Sequence, residues 1–240
     1  MLSFSLLDAQ ALSPGLEHAT GWQQWATQAE WPAAPQSVPA TPLIPMMMAR
    51  RLSIGARLAV QLGLDMLARH PVDSAIFVSR HGELARSMTL LQGLAAAKPL
   101  SPTDFSMSVH NTAAGLCSIQ GKAALPISSI SAGEGSLMAG LAEAAANLHA
   151  GYRRVLLVLF EGEIPQFHQS WLPQTPPYGV ALLLGPAQEA AGERWDCEGQ
   201  CDASQPPALA QPLAFWRAHL LGQQTCVLGD GRREWSWRRG

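Results

Sequence analysis

At 240 residues and a formal net charge of -2, the chain is long enough for one large α/β domain or two small ones. Hydrophobic residues make up 48% and charged residues 14%, a globular composition whose low charge hints at a surface partly covered by a partner. This balance excludes a sequence-independent nucleic-acid binder, and no run approaches the ~20 apolar residues of a membrane span.

The opening stretch MLSFSLLDAQ has no basic start and too short an apolar run for a signal peptide, so a cytoplasmic protein is expected. Residues 2–7 alternate as a first strand, and Thr20 precedes a short helix as its cap. Five prolines (Pro32, Pro35, Pro39, Pro42, Pro45) make residues 31–45 an extended loop. One long helix is expected from Met46 to Arg69, where Leu52, Ala56, Val60, Gly63 and Leu67 recur at helical spacing; His70-Pro71 ends it. A buried strand, Ser74–Ser79, and a helix over Glu83–Ala97 follow. Lys98–Asp104 reads as a loop, and a helix begins near His110.

Pro126–Ser131 is a short strand rich in Ser and Ile. Arg153–Phe160 and Gly179–Gly185 are nearly all apolar, as strands are when helices cover both sheet faces. Residues 186–207 turn polar and read as a linker or mobile loop. They hold Cys197 and Cys201, which with Cys117 and Cys226 give no zinc spacing, so neither metal nor cofactor is expected. A helix over Ala208–Leu221 and a hairpin turned at Asp230-Gly231 close the chain. Strands alternating with helices predict a layered α/β fold, with residues 1–185 as the main domain and 186–240 as an extension packed on it.

The chain is organised around Pro126–His149, a strand, a tight glycine turn and a long helix. Gly133 and Gly135 permit backbone conformations that a Cβ resists, and the helix N-terminus favours negative charge, so Glu134 reads as an anionic cap. The spacing fails the dinucleotide fingerprint, because the next glycine is Gly140. It also fails the nucleophile elbow, because no Ser stands between suitably spaced glycines. A plain strand-to-helix connection remains open.

Several segments together resemble the N-terminal half of a β-ketoacyl synthase, the thiolase-type condensing enzyme. PMMMARRLSIGARLAVQLGLDML is similar to that half's first long helix. SMSVHNTAAGLCSIQG is similar to the family's Asn-x-x-x-Gly helix start, at Asn111 and Gly115. ISSISAGEGSLMAGLAEA resembles the strand, nucleophile turn and helix, and YGVALLLG the closing strand. The implied fold is half of a thiolase-like fold, helix–sheet–helix in layers, with a short C-terminal helix and hairpin.

Where the family carries Ala-Cys-Ser-Ser, this chain has Ala132-Gly133-Glu134-Gly135. Gly133 offers no thiol, and neither the His-Gly-Thr-Gly-Thr motif nor the Asn-Ser-Phe segment occurs in these residues. Covalent catalysis needs a nucleophile and a base, so the resemblance implies no condensing enzyme. It points to the chain-length factor, in the truncated form found beside aryl-polyene and type II fatty-acid-like genes. Such a subunit would form a heterodimer with an active β-ketoacyl synthase, meeting acyl carrier protein only indirectly.

By the same resemblance, strand 126–131 pairs across the subunit boundary and Phe105–Asn111 reaches toward the partner's active site. The implied interface residues are Phe105, Val109, His110, Asn111, Ser128, Ser129 and Ile130, burying well above ~2,000 Å² as obligate pairs do. The alternative is a stand-alone decarboxylase or hydrolase of acyl- or malonyl-carrier protein that uses Glu134. His110 and Cys117 lie seven apart on one helix face but about 10 Å apart along its axis, so packing and a helix-start hydrogen bond outweigh a Cys–His pair.

Overall fold

The computed structural model describes residues 2–28, 30–32, 37–172, 174–203 and 207–240. In chain order the elements are β1 (Ser3–Leu12), α1 (Ala19–Gln28), α2 (Met46–Ala49), α3 (Ile54–Arg69), β2 (Ser74–Val78), α4 (Leu84–Ala95), α5 (Pro102–Ser106) and α6 (Thr112–Gly121). They continue as β3 (Ile127–Ile130), α7 (Ser136–His149), β4 (Val155–Glu161), β5 (Tyr178–Gly185), β6 (Glu193–Asp202), α8 (Gln211–Leu220), β7 (Thr225–Gly229) and β8 (Arg233–Arg239). The strands form one mixed sheet in the order β3-β2-β4-β5-β1-β6-β8-β7. β2 runs parallel to both β3 and β4, and the remaining neighbours are antiparallel.

β4 shows why both faces must be covered. Its Val155, Leu157 and Leu159 belong to one apolar cluster with Leu137 and Leu141 of α7. The alternate residues Leu156, Val158 and Phe160 belong to another, with Val60, Leu62 and Met66 of α3. The two-residue period of a strand thus feeds two cores, and the layered helix–sheet–helix arrangement follows.

Four boundaries differ from the sequence reading. The helix expected over Met46–Arg69 is two, because Ser53 is extended and its Oγ accepts the Ala56 N–H at 3.2 Å, capping α3 afresh. Gly55 sits where an added Cβ would lie 2.7 Å from the Gly162 backbone nitrogen, so α3 starts hard against the end of β4. The loop expected over 98–104 contains the start of α5, with Ser101 accepting from Asp104 N–H at 3.2 Å and Pro102 opening the helix. Thr20 lies within the first turn of α1 rather than before it, and α6 starts at Thr112 rather than near His110.

The expected linker 186–207 is corrected to strand β6, whose residues 193–202 include Cys197 and Cys201. Periodicity missed it because only Trp195 is buried, where it pairs with Phe4 of β1. The first strand also runs on to Leu12, where Ser13 and Leu16 exchange backbone hydrogen bonds at 3.1 and 2.8 Å. The hairpin at Asp230-Gly231 is present as β7 and β8. Pro35 of the proline-rich stretch and residues 204–206 of the polar stretch lie outside the described residues.

Candidate functional site

Parallel β2, β3 and β4 release their chains at the same edge of the sheet, where an α/β fold collects functional groups. β2 runs into Ser79-Arg80-His81-Gly82. Ser79 Oγ accepts the Gly82 N–H at 2.8 Å and donates to Glu161 Oε2 at 3.2 Å. Glu161, the last residue of β4, also accepts the backbone N–H groups of Arg80 and His81. One carboxyl therefore ties the two strand ends together.

Burial pushes Glu161 up to about 7 even though its hydrogen bonds pull the other way. The folded value stands above the carboxyl's ordinary 4.5, so its contribution to stability is complete below about 4.5 and is lost as pH rises through about 7. Thermal melting of the wild type is therefore expected to fall between pH 5 and pH 8, while Glu161→Gln should show a flatter profile over that window. Parallel profiles would contradict this. Burial, with Arg80 and His168 adding to it, lowers His81 to about 4, so this imidazole is neutral at neutral pH.

The β3-to-α7 turn forms the opposite wall. Gly133 has φ +59, the left-handed region, and a Cβ built there would meet nothing within 4 Å. The turn has room for a side chain at its apex and carries none. Ser136 closes the helix entry, its Oγ accepting from Ala132 N–H at 3.1 Å and donating to the Gly133 carbonyl at 2.7 Å. Glu134 stands in the first turn of this helix entry, where the sequence reading put an anionic residue, and its carboxylate pairs with Arg80. The tip of the C-terminal hairpin also reaches this turn, since a Cβ on Gly135 would lie 3.4 Å from Asp230 Oδ2.

Between these walls lies a cavity of about 350 Å³. Arg80, His81, Glu134 and Glu161 line its polar side, and Val78, Leu159, Tyr178 and Leu213 its apolar side. Tyr178 is buried, which raises its phenol well above the usual range. Arg80, His81, Glu161 and Gln211 are site residues that motif reading missed. The available signal was position: Arg80, His81 and Glu161 directly follow or end the most apolar strands.

The residues implied for an interface lie elsewhere, around β3 at the end of the sheet. Phe105 and Val109 are exposed at 66% and 47%, and Asn111 is exposed without giving α6 a side-chain cap. His110 is half-buried, its Nε2 2.9 Å from the Ser79 carbonyl, which couples this segment to the cavity wall. Ser128 Oγ donates to Glu143 Oε1 at 3.2 Å, while Ser129 and Ile130 are half-buried in β3. Nearby α4 has no buried residue among its 12, and it presents Leu91 and Leu94 to the outside.

Cys117 lies against Gly63 in the buried cluster that also holds Phe77, and burial pushes its thiol up to about 12, so it makes no nucleophilic pair with His110. Among the described residues no group of three His, Cys, Asp or Glu is placed to hold a metal ion, and no helix is long and apolar enough to cross a membrane.

Residues 22–238 match the family model for the β-ketoacyl synthase N-terminal domain. The chain is similar to one in the structure of the ketosynthase ApeO in complex with its chain length factor ApeC from Xenorhabdus doucetiae. That match has 41% identity, covers 100% of both chains and has a TM-score of 0.89. The ishigamide ketosynthase/chain length factor is 15% identical, with 92% of this chain and 74% of the other covered at a TM-score of 0.64. A β-ketoacyl synthase from Burkholderia phymatum is 13% identical, with 93% and 71% covered at 0.58. The last two share the fold, which is the thiolase-like one expected. No curated protein matches.

Proposed function

The chain belongs to the β-ketoacyl synthase family through the N-terminal domain, and on that premise we propose that it is a non-catalytic, chain-length-factor-like subunit. It pairs with an active β-ketoacyl synthase and shapes that enzyme's acyl tunnel, in cytoplasmic biosynthesis of an aryl-polyene, polyketide or fatty-acid-like product. Acyl carrier protein meets the pair through the synthase. Residues 1–185 supply the synthase-like half, and residues 186–240 are the extension that closes over its cavity.

The observation that carries this reading is Gly133 at the apex of the turn, where condensation would need a thiol. Support comes from the full-length similarity to a chain of a ketosynthase and chain-length-factor complex. The sheet end at β3 and the uncovered apolar residues of α4 and α5 also provide the kind of surface an obligate partner covers. Purified alone and given acyl- and malonyl-carrier protein, the chain is expected to form no β-ketoacyl product. Co-expressed with its synthase, it is expected to elute with it and support turnover. Condensation by the chain alone would overturn the proposal.

The competing decarboxylase or hydrolase reading draws on one feature, the placement of Glu134 in the cavity wall. Its ion pair with Arg80 argues for a positioning role, since both side chains are partly solvated and such pairs contribute about 0.2–1 kcal/mol. Glu134→Gln is therefore expected to leave product formation by the complex near normal. Loss of malonyl decarboxylation on this one change would favour the enzyme reading.

A further inference from the structure

The sheet ends at β3 on one side and at β7 on the other. Just outside β7, the Gln224 carbonyl accepts the Arg239 N–H at 2.9 Å and the Asp230 N–H donates to the Arg233 carbonyl at 3.0 Å, so both turn their backbone toward β8. The two-residue period of a strand turns Cys226 and Leu228 the same way. The backbone groups of Thr225, Val227 and Gly229 therefore lie along the outer edge. Residues 222–229 carry neither a charge nor a proline, and Val227 is 57% exposed. This edge has none of the side chains that keep a foreign strand away.

The order of residues along the edge selects a second copy of this chain as the occupant. Two β7 strands laid antiparallel about a two-fold axis at Val227 bring Val227 opposite its own copy and Thr225 opposite Gly229 at both ends. Every outward residue of the strand then finds a partner, and no charge enters the seam.

The flanking charges fit the same axis. In the register of β8, Glu234 stands beside Gly229 and Arg238 beside Thr225. One row across the seam would therefore read Glu234, Gly229, then Thr225 and Arg238 of the second copy. Those ends lie three strand spacings apart, roughly 14 Å, a gap that a glutamate and an arginine span together over two small residues. Glu234 already leans toward the edge, its Cγ 3.6 Å from where a Cβ on Gly229 would stand. Arg238 meets Glu198 at 2.5 Å on an exposed surface, a contact that a second carboxylate can share.

We propose that two copies of this chain associate through β7, antiparallel about Val227, with Glu234 of each copy meeting Arg238 of the other. β3 lies at the far end of the sheet, so the seam does not rest on pairing with a synthase and leaves that edge free. A seam this short falls well below obligate size, so association is expected at about 100 μM.

Sedimentation equilibrium of the full chain, alone or with its synthase, over about 5–200 μM tests this. The wild type is expected to pass from one copy to two across that range. Val227→Lys opposes two ammonium groups on the axis and should weaken association about tenfold or more, with an unchanged circular dichroism spectrum. Arg238→Glu should weaken it severalfold, and adding Glu234→Arg should restore it. Val227→Cys places two thiols at a Cα spacing of about 5.5 Å, within disulfide reach, and should give a reducible dimer that the wild type, with its own cysteines, does not. Absence of self-association at the highest concentration would overturn the proposal. So would a dimer unmoved by Val227→Lys, which would place the contact at β3, or loss of the synthase in that variant instead of the second copy.

Discussion

Ser129→Pro is expected to abolish co-purification with the synthase while leaving this chain folded. β3 is held to β2 through the carbonyls of Pro126 and Ile130, which accept from Ala75 and Ser79 at 3.0 and 3.2 Å. The two-residue period of a strand places Ser128 on that same side, so the backbone groups of Ile127 and Ser129 face the outer edge. Proline at 129 deletes one outward donor and puts a ring into the path of an incoming strand, without removing a bond to β2. Leaving a partner's acceptor unmet costs about 1–3 kcal/mol, so affinity should fall roughly fivefold to 150-fold from that loss alone. Ile130→Lys is a poorer test, because Ile130 packs against the apolar cluster beneath α7 and its loss would perturb the fold. An edge open like this one invites pairing, as it has no Lys and its proline stands before the strand. Circular dichroism of the variant should match the wild type. Co-elution at wild-type stoichiometry would rule out the edge-strand pairing.

Much of the fold was legible because β2, β4 and β5 are apolar runs long enough for only one kind of burial. The α7 turn was legible as well, since two glycines flank Glu134 directly after a strand. What escaped was set by contacts remote in sequence. Ser53 breaks the long helix because its hydroxyl caps Ala56, and the same hydroxyl donates to buried Glu83 at 2.8 Å. β6 escaped because it is polar outside Trp195 and becomes a strand only by lying between β1 and β8. Glu134 was legible at the helix entry but its partner was not: Arg80 lies 54 positions away, and spacing carries no sign of that pair. Gln211 was invisible for the same reason, because its partner Met138 lies 73 positions away.

Trp237→Ala is expected to cost about 3–5 kcal/mol and to lower the melting temperature by about 6–20 °C. Trp237 is fully buried in β8, and its ring centre lies 5.6 Å from that of Phe4 on β1. Phe4 in turn meets Phe215 of α8 at 6.2 Å, and Phe215 meets Trp195 of β6 at 5.1 Å. β6, α8 and β8 thus share one aromatic cluster with the first strand. Emptying the Trp237 site removes contacts from every member, and neighbours this large cannot collapse into the gap. Trp237→Phe should cost only a fraction of that, since it keeps a ring against Phe4 and removes an indole N–H that has no partner among the described residues. The loss should also reach the cavity, because α8 carries Gln211 and the β7–β8 hairpin carries Asp230 beside Gly135. Calorimetric unfolding is therefore expected as a single transition that shifts as a whole in Trp237→Ala. A separate early transition, with the main one unmoved, would show that residues 186–240 unfold independently of the sheet they extend.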